Sequence, residues 1–214
     1  MGSVIKMTPT RRRGTRRRFI TPIAAMAVPL AIALAGCGSS EDSTTESAAA
    51  SSTAAESGSS TTTCPSAPPA ESAAPEWTLP GATGSVAVTG STDTAAPRIE
   101  VTTPFSVDAT QVRTLRAGDG QVVPDTATVS VCYEGVNGRD GALFDSSYQS
   151  GKPVQFPLDG VVPGFQKAIA GQKVGSTVAV AVAPADGYPQ GQPAAGIQQG
   201  DTLVFAIKIL AAQG

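Results

Sequence analysis

The sequence contains no histidine in 214 residues. This excludes Ser-His-Asp and Cys-His catalysis and most zinc sites. Any chemistry must proceed without the side chain best suited to proton transfer near neutral pH. Positive charge is also scarce where it would matter. Seven of the 15 Lys and Arg precede Cys37, and all 17 acids follow it. The remainder therefore holds 8 cations against 17 anions, a balance of −9, which argues against nucleic acid as a partner because phosphate binding needs basic patches. No apolar run is long enough to span a bilayer comfortably. The longest, Phe19 to Ala35, has 17 residues and is interrupted by Pro22 and Pro29. Gly160 to Gly164 is not a phosphate loop, since no Lys-Ser/Thr follows it, and no internal repeat is evident.

The apolar run instead suits the h-region of an export signal. Arg11, Arg12, Arg13, Arg16, Arg17 and Arg18 precede it as a basic n-region, and Thr15 to Ile20 resembles a twin-arginine export motif. Leu34-Ala35-Gly36-Cys37 resembles a bacterial lipobox, so residues 1–36 are expected to be a signal peptide and Cys37 the lipidated residue. An ordinary secretory signal with an incidental cysteine is the alternative. Lipidation would place the protein outside the cytoplasm on the outer face of a bacterial cell membrane, held there by its acyl chains alone.

Residues 37–76 are mainly Ser, Thr, Ala, Pro and Glu with almost no large apolar side chain. Such a segment cannot bury enough surface to offset its ordering entropy and is expected to be a flexible stalk. Structure begins at Trp77, the only tryptophan. Ser85–Thr89 and Arg98–Thr102 alternate with period two, so residues 77–106 are expected to add strands to the outside of the domain that follows. Gln111–Arg116, Thr126–Cys132, Gly175–Pro184 and Thr202–Leu210 alternate likewise. Val162, Phe165 and Ile169 are spaced three and four apart, predicting a short helix from Pro163 that ends near Gly171. One short helix among antiparallel strands gives an α+β fold, the helix covering one face of the sheet.

Three motifs then stand in order: Tyr133-Glu134-Gly135, Phe144-Asp145-Ser146-Ser147 and Val162-Pro163-Gly164-Phe165, with a weaker fourth at Thr202 to Phe205. Together they make residues 107–214 resemble an FKBP-type peptidyl-prolyl cis-trans isomerase domain. The resemblance implies a curved antiparallel β-sheet wrapped around one short α-helix, and a proline pocket formed by Tyr133, Phe144, Asp145, Phe165 and Tyr188. Val161, Val162, Ile197, Phe205 and Val154 would complete substrate binding. Phe165 stands where the family usually has tryptophan as the pocket floor, Val154 where an aromatic wall residue often sits, and Pro193 in place of a common histidine. Those departures bear on macrolide affinity and sequence preference more than on the basic activity. No metal or cofactor is implied. The expected partners are proline-containing polypeptides, and the expected state is a monomer. Taken singly, each phenylalanine is as well explained by a core position, Asp145 by a turn, and Asn137-Gly138 by a hairpin. A pocket that binds proline segments without turnover is the alternative function.

Lipidation of Cys37 would leave two cysteines. An even number in an exported chain suggests a Cys64–Cys132 disulfide, and alternation puts Cys132 on the strand face opposite Tyr133. The alternative is a free Cys64 and a small buried Cys132.

Overall fold

The structure is a computed structural model that describes residues 63–214. The expected signal peptide, Cys37 and most of the stalk lie outside the described residues. Ten strands and helices organise the rest: β1 Trp77–Pro80, β2 Thr83–Thr89, β3 Arg98–Ser106, β4 Gln111–Arg116, β5 Thr128–Asn137, β6 Leu143–Ser146, β7 Val154–Pro157, α1 Pro163–Ile169, β8 Thr177–Val182 and β9 Leu203–Gln213. They form two antiparallel sheets. The smaller has the order β1-β2-β3; the larger runs β4-β8-β9-β5-β6, with β7 also paired to β5. The α+β architecture expected from the alternating segments is what forms.

The alternation within β8 explains how the two sheets and the helix share one molecule. Val178, Val180 and Val182 join Phe165, Ala168 and Ile169 of α1 in the main core, together with Leu203, Phe205, Ile207 and Ile209 of β9. The intervening Ala179 and Ala181, with Ala206, face a second core made by Val86, Val88 and Phe105 of the small sheet, and Trp77 packs at its margin. Every residue of β8 is consequently buried. The small alanine side chains let the second sheet approach closely on the side away from the helix. On the helix side, Gly164 meets β8 so closely that a Cβ there would lie 2.3 Å from Val182 Cγ1. Helix α1 has only seven residues, too few to be stable alone, and depends on this packing.

Strand β5 is the spine of the larger sheet. One edge pairs with β9 along its whole length, Thr128 to Asn137. Its other edge is divided, pairing with β7 from Thr128 to Val131 and with β6 from Glu134 to Val136. Cys132 and Tyr133 fall in the gap, so the Tyr133 N–H has no strand partner on that edge. Ser147 Oγ accepts it at 2.9 Å, and the Ser147 N–H donates back to the Tyr133 carbonyl at 3.0 Å. Cys64 and Cys132 are joined in a disulfide at the same place, on the face away from Tyr133.

The stalk ends sooner than composition implies. Residues 64–76, placed in the stalk by their composition, lie on the folded domain, where the Cys64–Cys132 bridge pins them. The Cys64 N–H donates to the Gly151 carbonyl, the Ala96 N–H to Ala67, and the Glu76 N–H to Val88. The Arg98 guanidinium donates to the Ala70 and Ala73 carbonyls. Composition misses this because the anchorage is a covalent bridge and backbone hydrogen bonds, neither of which needs large apolar side chains.

Candidate active site

A cup of about 360 Å³ opens where β5, β6, β7, the start of α1 and the loop before β9 converge. Phe165, 6% exposed, is its floor. The sequence places it there because Pro163 starts the helix and Gly164 draws it onto β8, turning the next side chain under the opening. Three rings meet Phe165 edge-on: Tyr133 at a centroid distance of 5.7 Å, Phe156 at 5.5 Å and Phe205 at 5.1 Å. Phe144 in turn stands edge-on to Phe205 at 5.5 Å. Such T-shaped pairs add about 0.5–1.5 kcal/mol each beyond area burial and fix ring orientations. Gly135, between Tyr133 and the Phe144–Phe205 pair, makes room for them. A Cβ at Gly135 would lie 2.7 Å from both rings.

Polar groups stand only at the rim. The Tyr133 hydroxyl donates to Asp145 Oδ2 at 2.5 Å. Burial, reinforced by this hydrogen bond and by the Asp145 charge, holds the Tyr133 hydroxyl well above the ordinary tyrosine range. It therefore remains a protonated donor throughout the neutral region. Tyr188 lines the opposite side with Val161 and Val162.

Eight of the ten expected site residues thus meet: Tyr133, Phe144, Asp145, Phe165, Tyr188, Val161, Val162 and Phe205. Val154 and Ile197 stand outside. Val154 pairs with Val131 near the start of β7 and is 38% exposed. Phe156, two residues on and therefore on the same strand face, supplies the aromatic wall instead. The alternation Val154-Gln155-Phe156 was the available signal for it. Ile197 is 2% exposed in the main core, and its backbone exchanges two hydrogen bonds with Gln192 that shape the loop above the cup.

Two clusters that sequence patterns do not announce hold that loop. Asp186 accepts from Thr110 Oγ1 at 2.6 Å and from Lys167 Nζ at 2.8 Å. Asp201 accepts from Asn137 Nδ2 at 2.6 Å, the Gln198 N–H at 2.8 Å and Arg139 Nε at 3.2 Å. Burial opposes the Asp201 charge, but the Asn137 amide, the Gln198 N–H and Arg139 outweigh it. The carboxyl lies below its ordinary range. Among the described residues no cluster of three or more Cys, Asp or Glu suits a metal ion.

Residues 118–210 match the model of the family described as FKBP-type peptidyl-prolyl cis-trans isomerase. All the residues of the cup fall inside that span; β1 to β4 precede it. A probable FK506-binding protein of Corynebacterium glutamicum is 33% identical over 117 residues, covering 54% of this chain and 98% of that protein. The FKBP-type peptidyl-prolyl cis-trans isomerase FkpA of Escherichia coli K12 is 38% identical over 97 residues, covering 45% of this chain and 35% of that one. The peptidyl-prolyl cis-trans isomerase Mip of Coxiella burnetii is 37% identical over 103 residues, covering 47% and 43%. The chain thus spans only about a third to a half of the length of the latter two relatives. A crystal structure of FkpA from Escherichia coli is similar with a TM-score of 0.46 and 35% identity, over 49% of this chain and 48% of that one.

Proposed function

Since the chain belongs to the family of FKBP-type peptidyl-prolyl cis-trans isomerases, we propose that its aromatic cup accelerates X–Pro isomerisation in polypeptides. The observation that carries this reading is the enclosure of Phe165 by Tyr133, Phe156 and Phe205, which offers a prolyl ring an apolar seat with polar groups at the rim alone. The X–Pro bond isomerises slowly against a barrier of about 20 kcal/mol, and no covalent bond has to break. Catalysis needs only that the twisted amide be bound better than the planar one. Twisting removes amide resonance, so the carbonyl oxygen loses negative charge. A dehydrated apolar cup disfavours the more polar planar form, and the barrier falls.

The roles of the rim follow from their chemistry. Tyr188 and the Val162 N–H receive substrate carbonyls, as the resemblance to the family implies. Asp145 fixes the Tyr133 hydroxyl and orients the wall; it transfers no proton. This scheme has no need of the histidine that the sequence lacks. A protease-coupled assay of the cis-to-trans rate of Xaa-Pro peptides with the full chain tests it. Acceleration over the spontaneous rate that is lost in Phe144→Ala supports the reading, and binding without acceleration contradicts it.

The clients are exported proteins if the chain is delivered as its N-terminus implies. Cys37 then carries the lipid, and residues 38–62 hold the domain off the membrane. Intact-mass analysis of the membrane-associated protein tests this: a diacylglyceryl-modified Cys37 at the N-terminus is expected, and an unmodified Cys37 contradicts it.

A further inference from the structure

A second cleft, of about 510 Å³, lies on the face of β5 and β6 opposite the cup. Segment 66–71, held down by the bridge and by Arg98, forms one side. Pro68, Pro97, Ile99, Leu143 and Tyr148 supply apolar wall, and Glu71 and Glu134 are the carboxylates in its lining. The sequence explains the two-sided arrangement. On β5, Tyr133 points to the cup and Glu134 to the cleft; on β6, Phe144 serves the cup while Leu143 and Ser146 serve the cleft. Glu134 and Ser146 are direct cross-strand neighbours, so they meet on the cleft side.

Two observations show what this cleft lacks. No cation lies within ion-pair distance of Glu134 among the described residues. The Arg98 guanidinium, the basic group in the lining, is turned to the Ala70 and Ala73 carbonyls and to Glu100 rather than to Glu134, although its Nε has no hydrogen-bond partner. Burial accordingly pushes the Glu134 carboxyl above its ordinary range, with the Ser146 hydroxyl opposing. A half-buried carboxylate walled by apolar side chains suits a lysine or arginine, whose alkyl stem would lie on the wall with its charge on the acid.

We propose that this cleft is an accessory substrate subsite that takes a basic side chain of the same polypeptide whose proline occupies the cup. The subsite deepens the isomerase reading and rests on it for its substrate. Strand β6 is the edge of the larger sheet, so an extended client passes from one face to the other around a single strand. Sheet layers are about 10 Å apart and an extended chain advances about 3.3 Å per residue, so the basic residue stands about three to five positions from the proline.

The test uses the full chain and short peptides with one X–Pro bond and a single lysine placed one to six residues before or after the proline. Each has a glutamine twin. Isomerisation gives KM and kcat, and fluorescence anisotropy gives Kd. At one or two offsets lysine should lower KM and Kd by about tenfold relative to glutamine with kcat unchanged, as one charge-assisted hydrogen bond provides. Glu134→Gln should erase that difference and leave the glutamine peptides unaffected. Leu143→Arg, which puts a cation on an exposed rim residue, should erase it too. If no peptide is turned over but the Glu134-dependent lysine preference persists in Kd, the subsite stands and the isomerase reading falls. Absence of a lysine advantage at every offset, or an advantage undiminished in Glu134→Gln, overturns the proposal.

Discussion

Phe144 and Phe165 do different jobs with the same side chain. Phe165 is buried in both the cup floor and the main core, so Phe165→Ala loses stability as well as activity, by about 3–5 kcal/mol. Phe144 packs at the core margin on a short edge strand. Phe144→Ala should therefore keep the fold while kcat/KM drops by about ten- to a hundredfold, the equivalent of losing one buried aromatic contact. Circular dichroism with peptide turnover checks both halves. Asp145→Ala should cost less than Phe144→Ala, because Asp145 positions Tyr133 and moves no proton; a larger loss would point to acid–base chemistry.

The buried Asp201 and the half-buried Glu134 predict opposite pH effects. Asp201 has its folded pKa lowered, so its contribution to stability is present above the unfolded value and is lost as pH falls through the folded one. Asp201→Asn should cost about 1–3 kcal/mol at pH 7, as a charge-assisted hydrogen bond does, with the gap to wild type closing in acid. Glu134 has its folded pKa raised, so stability is full below the unfolded value and is lost as pH rises through the folded one. Glu134→Gln should match wild type in acid and exceed it at neutral pH. Urea denaturation at pH 4 and pH 7 checks the two signs; equal shifts at both pH values would contradict them.

At the scale of elements, packing separates what alternation can reveal from what it cannot. The period-two pattern of Gly175–Pro184 predicts a strand and one inward face, and that face is the valine face on the helix. It does not reveal that the alanine face is buried as well, because alanine is compatible with either fate. Of the eight expected residues that line the cup, five stand in the three motifs and Phe205 in the weaker fourth, while Val161 and Tyr188 were expected only from the family resemblance. The two exceptions have local causes: Val154 sits near the start of β7, short of the cup that Phe156 reaches, and Ile197 turns into the core as its backbone shapes the loop. The loop clusters at Asp186 and Asp201 were illegible because Thr110 and Asn137, which hold them, are 76 and 64 residues away respectively. Two glycines give the sharpest test of element packing. Gly164→Ala drives a Cβ into Val182 and should destabilise by about 1–3 kcal/mol. Gly135→Ala drives one into Phe144 and Phe205 and should reduce turnover by more than its effect on stability explains. Melting temperature and kcat/KM measured together distinguish the two; wild-type values for either variant would contradict the packing described.

For the whole molecule, the Cys64–Cys132 bridge closes a loop with a sequence separation of 68 residues that includes the entire small sheet. Loop-closure entropy gives it about 4 kcal/mol of stability. The Cys64→Ala/Cys132→Ala double variant should unfold at correspondingly lower urea, and segment 64–76 should lose amide protection before the strands do. Unchanged protection there would show that the backbone hydrogen bonds to Gly151, Ala96 and Val88 suffice without the bridge. The Tyr133 hydroxyl, bound to Asp145, lies on the other strand face, away from the bridge.

The central claim is that the cup catalyses by binding a twisted amide with no titrating acid or base. The most direct measurement is the full chain's cis-to-trans acceleration of a single Xaa-Pro peptide from pH 6 to pH 8. The predicted result is a clear acceleration, flat across that range and reduced about ten- to a hundredfold in Phe144→Ala. A bell-shaped profile, or folded protein that binds the peptide without exceeding the spontaneous rate, would contradict it.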